Sequence, residues 1–384
     1  MGGSTARGGR TVLTVLGLEA RRIGGVEAFA REFSAQLGER GIRSVLCFLG
    51  EPSATVREYL SLPNVELRVF AHAMKPLGAG DDLRRLLAEF RPEVLLLEFT
   101  PFLSTIPWVA KLNRVPRVYF VDQGSQPEGW VGTPAQWWKR VIARFITWPL
   151  TRVLCISEFN LRSIRIRGLV APGKTVRLYN AADTSRPHNQ LLGAQFRARH
   201  GIPADAIVVA QASWLIPEKG IPDLVEAIRI ARATEPRLHL VLAGDGPQRA
   251  EYERLVASSG LAEHVTWTGL VEDPFGEGLF DAADIVTQMS RWEEAFGYVI
   301  AEAMATERPV IGTRVGAIPE LVLNEETGFV VDRGDSAAAA RAIVRLAGDA
   351  SLRERMGRAG RARAQELFDL RKNVKQAVSL LGLS

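Results

Sequence analysis

The sequence predicts an α/β chain built as two doubly wound parallel-sheet units. Three observations carry that prediction. The chain has 384 residues, 47% of them hydrophobic, which suggests two domains with cores of their own. Short apolar runs alternate with helical patterns through both halves, the signature of a parallel sheet covered by helices on both faces. The alternation lapses between residues 184 and 206, then restarts at Ile207.

Taken in order, residues 1–10 are rich in Gly, Arg and Ser and read as disordered. Thr11–Leu16 reads as a buried strand, too short and too closely followed by Glu19, Arg21 and Arg22 for a secretory signal. The loop to Gly24-Gly25 leads into a helix from about Val26 to Gly41, with Ala28, Phe29, Phe33 and Leu37 on one face. A strand, a glycine loop and a helix start make a natural anion site, although any tight turn would also use the glycines. Further strands are expected at Arg43–Phe48, Glu66–Phe70, Val94–Glu98, Arg117–Val121, Arg152–Ile156 and Lys174–Leu178. Helices are expected near Asp82–Phe90, Thr133–Thr147 and Glu158–Gly168. The expected domain limits are 1–183, a linker at 184–206 with a short helix, 207–363, and a terminal helical segment at 364–384. The second half offers strands at Ile207–Ala212, His239–Ala243, Val265–Thr268, Ile285–Gln288, Val310–Gly312 and Phe329–Val331. Ligands of such sheets bind at the carboxyl ends of the strands.

Residues 290–320 concentrate the chemistry. Glu293 and Glu294 precede Phe296-Gly297, and Tyr298–Ala305 is a run of helix formers. Within it Glu302 lies among Ile300, Ala301, Ala303 and Met304, where burying a carboxylate is costly without a partner. Glu294 and Glu302 are eight residues apart, about 12 Å along a continuous helix. The helix start between them offers free N–H groups to a diphosphate, and Gly297 lets the backbone come close. Such a segment can hold a sugar, a diphosphate and a ribose in order; the plainer reading is that Glu294 only complements the helix dipole.

Glu294-Ala-Phe-Gly, followed by Glu302-Ala-Met-Ala and the Gly316-Ala-Ile-Pro-Glu320 loop, resembles the signature of the retaining glycosyltransferases related to glycogen synthase and sucrose synthase. These form the group-one, or family-four, class. The resemblance implies the GT-B fold, two Rossmann-like domains facing each other across a cleft, with the acceptor on the first and the donor on the second. It implies that Glu294 meets the donor sugar and Glu302 the ribose, with Phe296, Gly297, Tyr298 and Val299 along the donor. Trp214-Leu-Ile-Pro-Glu-Lys219-Gly220 is similar to the family's Gly-Arg-Leu-x-Pro-Glu-Lys-Gly, so Lys219 is expected at the diphosphate. Here Ser213-Trp214 replace Gly-Arg, and Arg291 or Arg314 are the candidates for the missing cation. Trp267-Thr-Gly-Leu270 would set Leu270 beside the donor base, and Gly24-Gly25 would face its phosphates. Asn180-Ala-Ala-Asp183 resembles a family turn with Ala181 in place of glycine. Asp122 stands where many relatives have a histidine; it is read either as an acceptor ligand or as a cap of the next helix. None of the five histidines falls on a family catalytic position.

The totals narrow the function further. No metal-ligand spacing appears, and Cys47 and Cys155 read as buried small hydrophobes. No cofactor is expected beyond the nucleotide-sugar co-substrate. Gly244-x-Gly246 lacks the third glycine of a dinucleotide fingerprint, which speaks against a nicotinamide enzyme. No apolar run reaches the ~18 residues of a membrane span, so the cytoplasm is expected. Net charge is +5, but residues 1–180 hold 25 Lys/Arg against 15 Asp/Glu. A basic first half suits a glycan or lipid-linked acceptor at an anionic membrane's inner face better than nucleic acid, for which no recognition motif is seen. Trp137–Trp148 is aromatic and basic. Such a helix can lie on an anionic membrane; the commoner arrangement, and the expectation here, covers the sheet with aromatics inward and arginines outward. The resulting expectation is a retaining, metal-independent hexosyltransferase, with a nucleotide-sugar epimerase of the same fold or an inactive sugar-nucleotide-binding relative as alternatives.

Overall fold

The computed structural model describes residues 9–77 and 80–384; residues 1–8, read above as disordered, lie outside them. The chain forms two compact units. Unit one takes the chain up to Gly124, Val131–Tyr179 and Arg371–Ser384, and unit two takes Ser125–Trp130 and Asn180–Leu370.

In unit one the strands are β1 (Thr11–Leu16), β2 (Arg43–Phe48), β3 (Val65–Val69), β4 (Val94–Glu98), β5 (Arg117–Asp122), β6 (Arg152–Cys155) and β7 (Thr175–Arg177). Their order is β3-β2-β1-β4-β5-β6-β7, with every pairing parallel. β1 and β4 are largely apolar and wholly buried, as expected of strands covered on both faces. Alternate residues serve opposite faces: Leu13, Val15, Leu95 and Leu97 enter one core cluster, and Leu16, Leu46 and Phe48 the other. Order reverses between β1 and β4, the topological switch point of such a sheet. The free cysteines Cys47 and Cys155 are buried.

The sequence missed two short helices here, Ala54–Tyr59 and Ile106–Leu112. The first is marked by Ser53, whose Oγ accepts from the Val56 N–H at 3.3 Å. A larger correction concerns Trp137–Ile146. The helix forms, but its orientation inverts the expected one. Ala143 is its buried residue, whereas Trp137, Val141, Ile142 and Phe145 are exposed. The arginines point back instead, with Arg144 Nε donating to the Gly168 carbonyl at 3.1 Å.

Unit two has β8 (Ile207–Ala212), β9 (Leu238–Ala243), β10 (Val265–Gly269), β11 (Ile285–Gln288), β12 (Val310–Thr313) and β13 (Gly328–Val331). The order is β10-β9-β8-β11-β12-β13, again all parallel. Its reversal lies between β8 and β11. Residues 184–206, expected as a linker with a short helix, carry the helix Gln190–Arg199 and are tied into this unit. Arg186 grips buried Asp281 with both terminal nitrogens, at 3.0 and 2.9 Å, and Arg197 reaches Asp284 at 2.8 Å. The terminal segment, expected as one helical stretch, holds parts of two helices. Residue 364 lies inside the helix Ala350–Leu367, and a second helix runs Leu370–Leu380. The break has a cause: the Ala182 N–H donates to Phe368 O at 2.9 Å, and the Leu370 N–H to Ala182 O at 3.1 Å. Bonding outside the helix replaces bonding within it.

Candidate active site

The loops after β8 and β11, the two strands flanking the reversal in unit two, carry Lys219 and Glu294. They are stitched together by backbone. The Arg291 N–H donates to Glu218 O at 2.8 Å, and Gln211 Nε2 holds Lys219 O at 2.8 Å. Gly220 is left-handed at φ 64, and a Cβ there would fall 1.8 Å from Met289 O. Only glycine allows this approach.

The two side chains meet directly. Lys219 Nζ lies 2.6 Å from Glu294 Oε1, and Ser290 Oγ donates to the same oxygen. Glu294 is buried. Burial pushes its pKa up, but Lys219, Ser290 and the Trp292 indole N–H more than offset this, and the carboxyl is held below its ordinary range. The Trp292 Nε1 lies outside the geometry of a formed hydrogen bond; its contribution comes from proximity. Lys219 Nζ also stands 5.0 Å over the Trp292 ring. Glu294 is therefore an ionised, pre-positioned carboxylate, and Lys219 a cation whose present counter-charge is that carboxylate.

The backbone around Glu294 is equally fixed. The Ala317 N–H donates to Glu294 O at 2.8 Å, and the Gly316 N–H to Glu293 Oε2 at 2.7 Å. Gly316 has φ 53, and a Cβ would lie 2.1 Å from Glu294 O. On the other side Gln126 exchanges both backbone hydrogen bonds with Glu293, at 2.9 and 3.0 Å, and the Ala295 N–H donates to Ser125 Oγ at 3.1 Å. Ser125, Gln126, Ser290, Trp292 and Gly316 thus build the site around Glu294. Sequence reading found none of these roles except the Gly316 loop: Ser125 and Gln126 are distant in the chain, and nothing in the local pattern shows that the side chains of Ser290 and Trp292 turn toward Glu294.

The helix Tyr298–Ala305 starts at Gly297, with φ 133 and ψ 71. A Cβ at Gly297 would stand 3.2 Å from Gln288 Oε1, an oxygen that is buried and unpartnered. Glu302 is half-buried between buried Ala301 and Ala303, and Tyr298 and Val299 are half-buried as well. The Phe296 side chain is in the core, 5.6 Å from the Tyr298 ring and 5.5 Å from that of Phe368. Trp214 and Leu270 are exposed. Neither candidate for the missing cation is unengaged. Arg291 grips Asp223 at 2.8 and 2.6 Å, and Arg314 pairs with Asp332 at 3.0 Å.

Gly24, Gly25 and Asp122 belong to unit one. Gly24 precedes the helix Gly25–Gly38, and its N–H donates at 3.0 Å to Oε2 of buried Glu27; the anion at this helix start is the chain's own. Asp122 ends β5 and does not cap the next helix, whose N-cap is Gln136. Its Oδ1 accepts from the Gly124 N–H and its Oδ2 from Asn160 Nδ2, both at 3.1 Å. Burial nevertheless raises its pKa. A carboxyl that the sequence did not single out lies nearby in the fold: Glu98, at the end of β4, is buried and accepts from Gln123 Nε2 at 2.6 Å. Desolvation pushes it up to about 7, with the Glu27 charge adding to the effect.

These features match a known pattern. The glycosyl transferases group 1 family matches residues 194–363, and Glycosyltransferase Family 4 matches residues 23–186. The chain belongs to the group-one glycosyltransferases of GT-B fold. It is similar to the N-acetyl-alpha-D-glucosaminyl L-malate synthase of Bacillus anthracis, 32% identical over 54% of each chain. It is also similar to the alpha-D-kanosaminyltransferase of Streptomyces kanamyceticus, 34% identical over 42% of each. The matched stretches span about half the length of these curated relatives. Among solved structures, a glycosyltransferase from Rickettsia africae superposes with a TM-score of 0.81 at 18% identity over 97% of both chains. HepE of Anabaena, crystallised with UDP-glucose, superposes at 0.78 and 20% identity over 97% of this chain and 99% of its own.

Proposed function

We propose that the chain transfers a hexose from a nucleotide-diphosphate-sugar, of the UDP or GDP type, to a hydroxyl of a glycan or lipid-linked acceptor, with retention at the anomeric carbon. The observation that carries this is the ion pair between half-buried Lys219 and buried Glu294, in the loops after β8 and β11, with Glu294 three residues before the Gly297 helix start. As the anomeric C–O bond breaks, negative charge grows on the departing diphosphate. Lys219 and the first N–H groups of the helix Tyr298–Ala305 stabilise it. Glu294, held ionised, stands beside the hexose, where positive character grows. Glu302 holds the ribose hydroxyls. The acceptor oxygen bonds to the anomeric carbon on the face the diphosphate leaves, and its proton passes to a phosphate oxygen. The same groups supply the charge stabilisation without a metal.

HepE's complex with UDP-glucose supports a sugar-nucleotide donor by likeness of fold. The basic first half favours work at the inner face of an anionic membrane, from the cytoplasm; no described helix is long and apolar enough to cross one. An epimerase of the same fold would need acid–base residues of its own around the sugar, and the paired motif of Glu294 and Glu302 argues against it. The test is a thermal-shift screen of nucleoside diphosphates and their sugars, followed by transfer assays with the best donor. A bound nucleotide should raise the melting temperature, in step with the logarithm of its concentration once that exceeds Kd. No shift at millimolar UDP or GDP would overturn the reading.

A further inference from the structure

The helix Trp137–Ile146 turns its apolar side to solvent. Trp137 is 76% exposed, Val141 61%, Phe145 66% and, just beyond the helix, Trp148 58%. At ~100° per residue, Trp137, Trp138, Val141, Ile142 and Phe145 fall within an arc of about 140°, opposite buried Ala143. An exposed aromatic face of this size is unusual in a soluble protein and marks an interaction surface. It continues onto the helix Ile106–Leu112, where Trp108 stacks on Trp148 at 5.7 Å and lies tilted against Phe145 at 4.9 Å.

The chain segments that carry this face hold charge of one sign. No Asp or Glu occurs in residues 99–121 or 129–157, which contain Lys111, Arg114, Arg117, Lys139, Arg140, Arg144 and Arg152. Ammonium groups stand against the rings themselves: Lys139 Nζ is 5.3 Å from the Trp138 centroid, and Lys111 Nζ 5.9 Å from that of Trp148. Two copies of such a face would bring like charges together, which disfavours self-association. An anionic lipid surface satisfies both properties at once. Tryptophan rings settle at the headgroup boundary, and lysines attract the lipid charge.

We infer that the Trp137–Ile146 face, with Trp148 and Lys111, inserts into the headgroup region of an anionic bilayer and holds the protein at its surface. The inference rests on the proposed transfer to a membrane-borne acceptor and names the part of the chain that would bring the two together. The helix would lie in the membrane plane, its apolar side about 5–10 Å deep.

The experiment is flotation of the full chain with phosphatidylcholine vesicles, with and without about one third phosphatidylglycerol, at low and high salt. Binding should require the anionic lipid and weaken as the Debye length shrinks, with tryptophan fluorescence shifting to the blue. A Trp137→Ser/Val141→Ser/Ile142→Ser variant, altered only at exposed positions, should lose at least tenfold in vesicle binding and keep its melting temperature. Lys139→Glu should weaken binding to anionic vesicles alone. Equal binding by wild type and the triple variant would overturn the inference. So would a concentration-dependent dimer that the same substitutions abolish. Nucleotide-induced melting shifts on the same samples separate the two ideas. Intact nucleotide binding without flotation defeats the docking face alone, whereas flotation without nucleotide binding defeats the catalytic reading alone.

Discussion

Glu294 and Glu302 should fail differently when removed. Ribose hydroxyls change little between ground and transition states, so Glu302→Ala should weaken nucleotide and donor binding together, raising KM more than it lowers kcat. Glu294→Gln should cut kcat by about ten- to a hundredfold, the worth of a charge-assisted hydrogen bond, and leave nucleoside-diphosphate affinity nearly unchanged. Calorimetry with the nucleotide and steady-state kinetics with the donor check both; lost nucleotide binding in Glu294→Gln would reverse the assignment. Transfer should also persist in EDTA, since the proposed mechanism leaves the leaving-group charge to Lys219 and backbone N–H groups; complete loss restored by metal would refute this. Glu98 offers a test in pH. Its folded pKa, about 7, lies above the ordinary 4.5, so the native state binds the extra proton. Its contribution is fully present below 4.5 and is lost as pH rises to about 7. Glu98→Gln keeps an acceptor for Gln123 and has no charge to desolvate. It should therefore be more stable than wild type at pH 8, by up to about 3 kcal/mol, with the two converging near pH 4.5. Denaturant melts at both pH values measure this. Glu294 and Lys219 could be singled out as candidates in the sequence because each sits in a local motif. It concealed Glu98, which looks like the ordinary end of a strand until the partners around it are known.

At the scale of elements, the strands were legible because doubly buried parallel strands are nearly continuous apolar runs, as in Val94-Leu-Leu-Leu-Glu98. Helices of six or seven residues, such as Ala54–Tyr59, carry too few turns for a period to show. Trp137–Ile146 illustrates a different limit. Periodicity reveals that a helix has an apolar stripe, but not which way the stripe faces; here Arg144 is bonded inward and the aromatics outward. The loop Val315–Ala317 is the element on which the site leans most. Gly316→Ala would press a Cβ onto the Glu294 carbonyl in a left-handed conformation. A cost of about 2–4 kcal/mol is expected from overpacking and backbone strain together. A lowered melting temperature with weakened donor binding is the expected outcome, and a variant indistinguishable from wild type in both would show that the loop yields freely.

For the whole molecule, two sheets were legible from two trains of alternating elements, while the path of the chain between them was not. Six residues, Ser125–Trp130, belong to unit two although β5 and β6 on either side belong to unit one. The pairing of Gln126 with Glu293 joins residues too far apart for any local pattern to signal. The last residues show the same property. Arg117 donates to Leu381 O at 2.6 Å and to Gly382 O at 2.8 Å, and Val374, Val378 and Leu381 are buried. Leu381→Asp should lower the melting temperature by leaving a charge in the core of unit one, and an unchanged melt would mean that this segment is dispensable. The arrangement also bears on how the protein is born. On the ribosome, residues 180–370 emerge as a nearly continuous set of partners and can close their own sheet. Unit one, though made first, waits with an open seam until its final helix is released. Its early strands must stay unaggregated throughout that interval, so the speed of translation across the second half sets how long the first half needs protection.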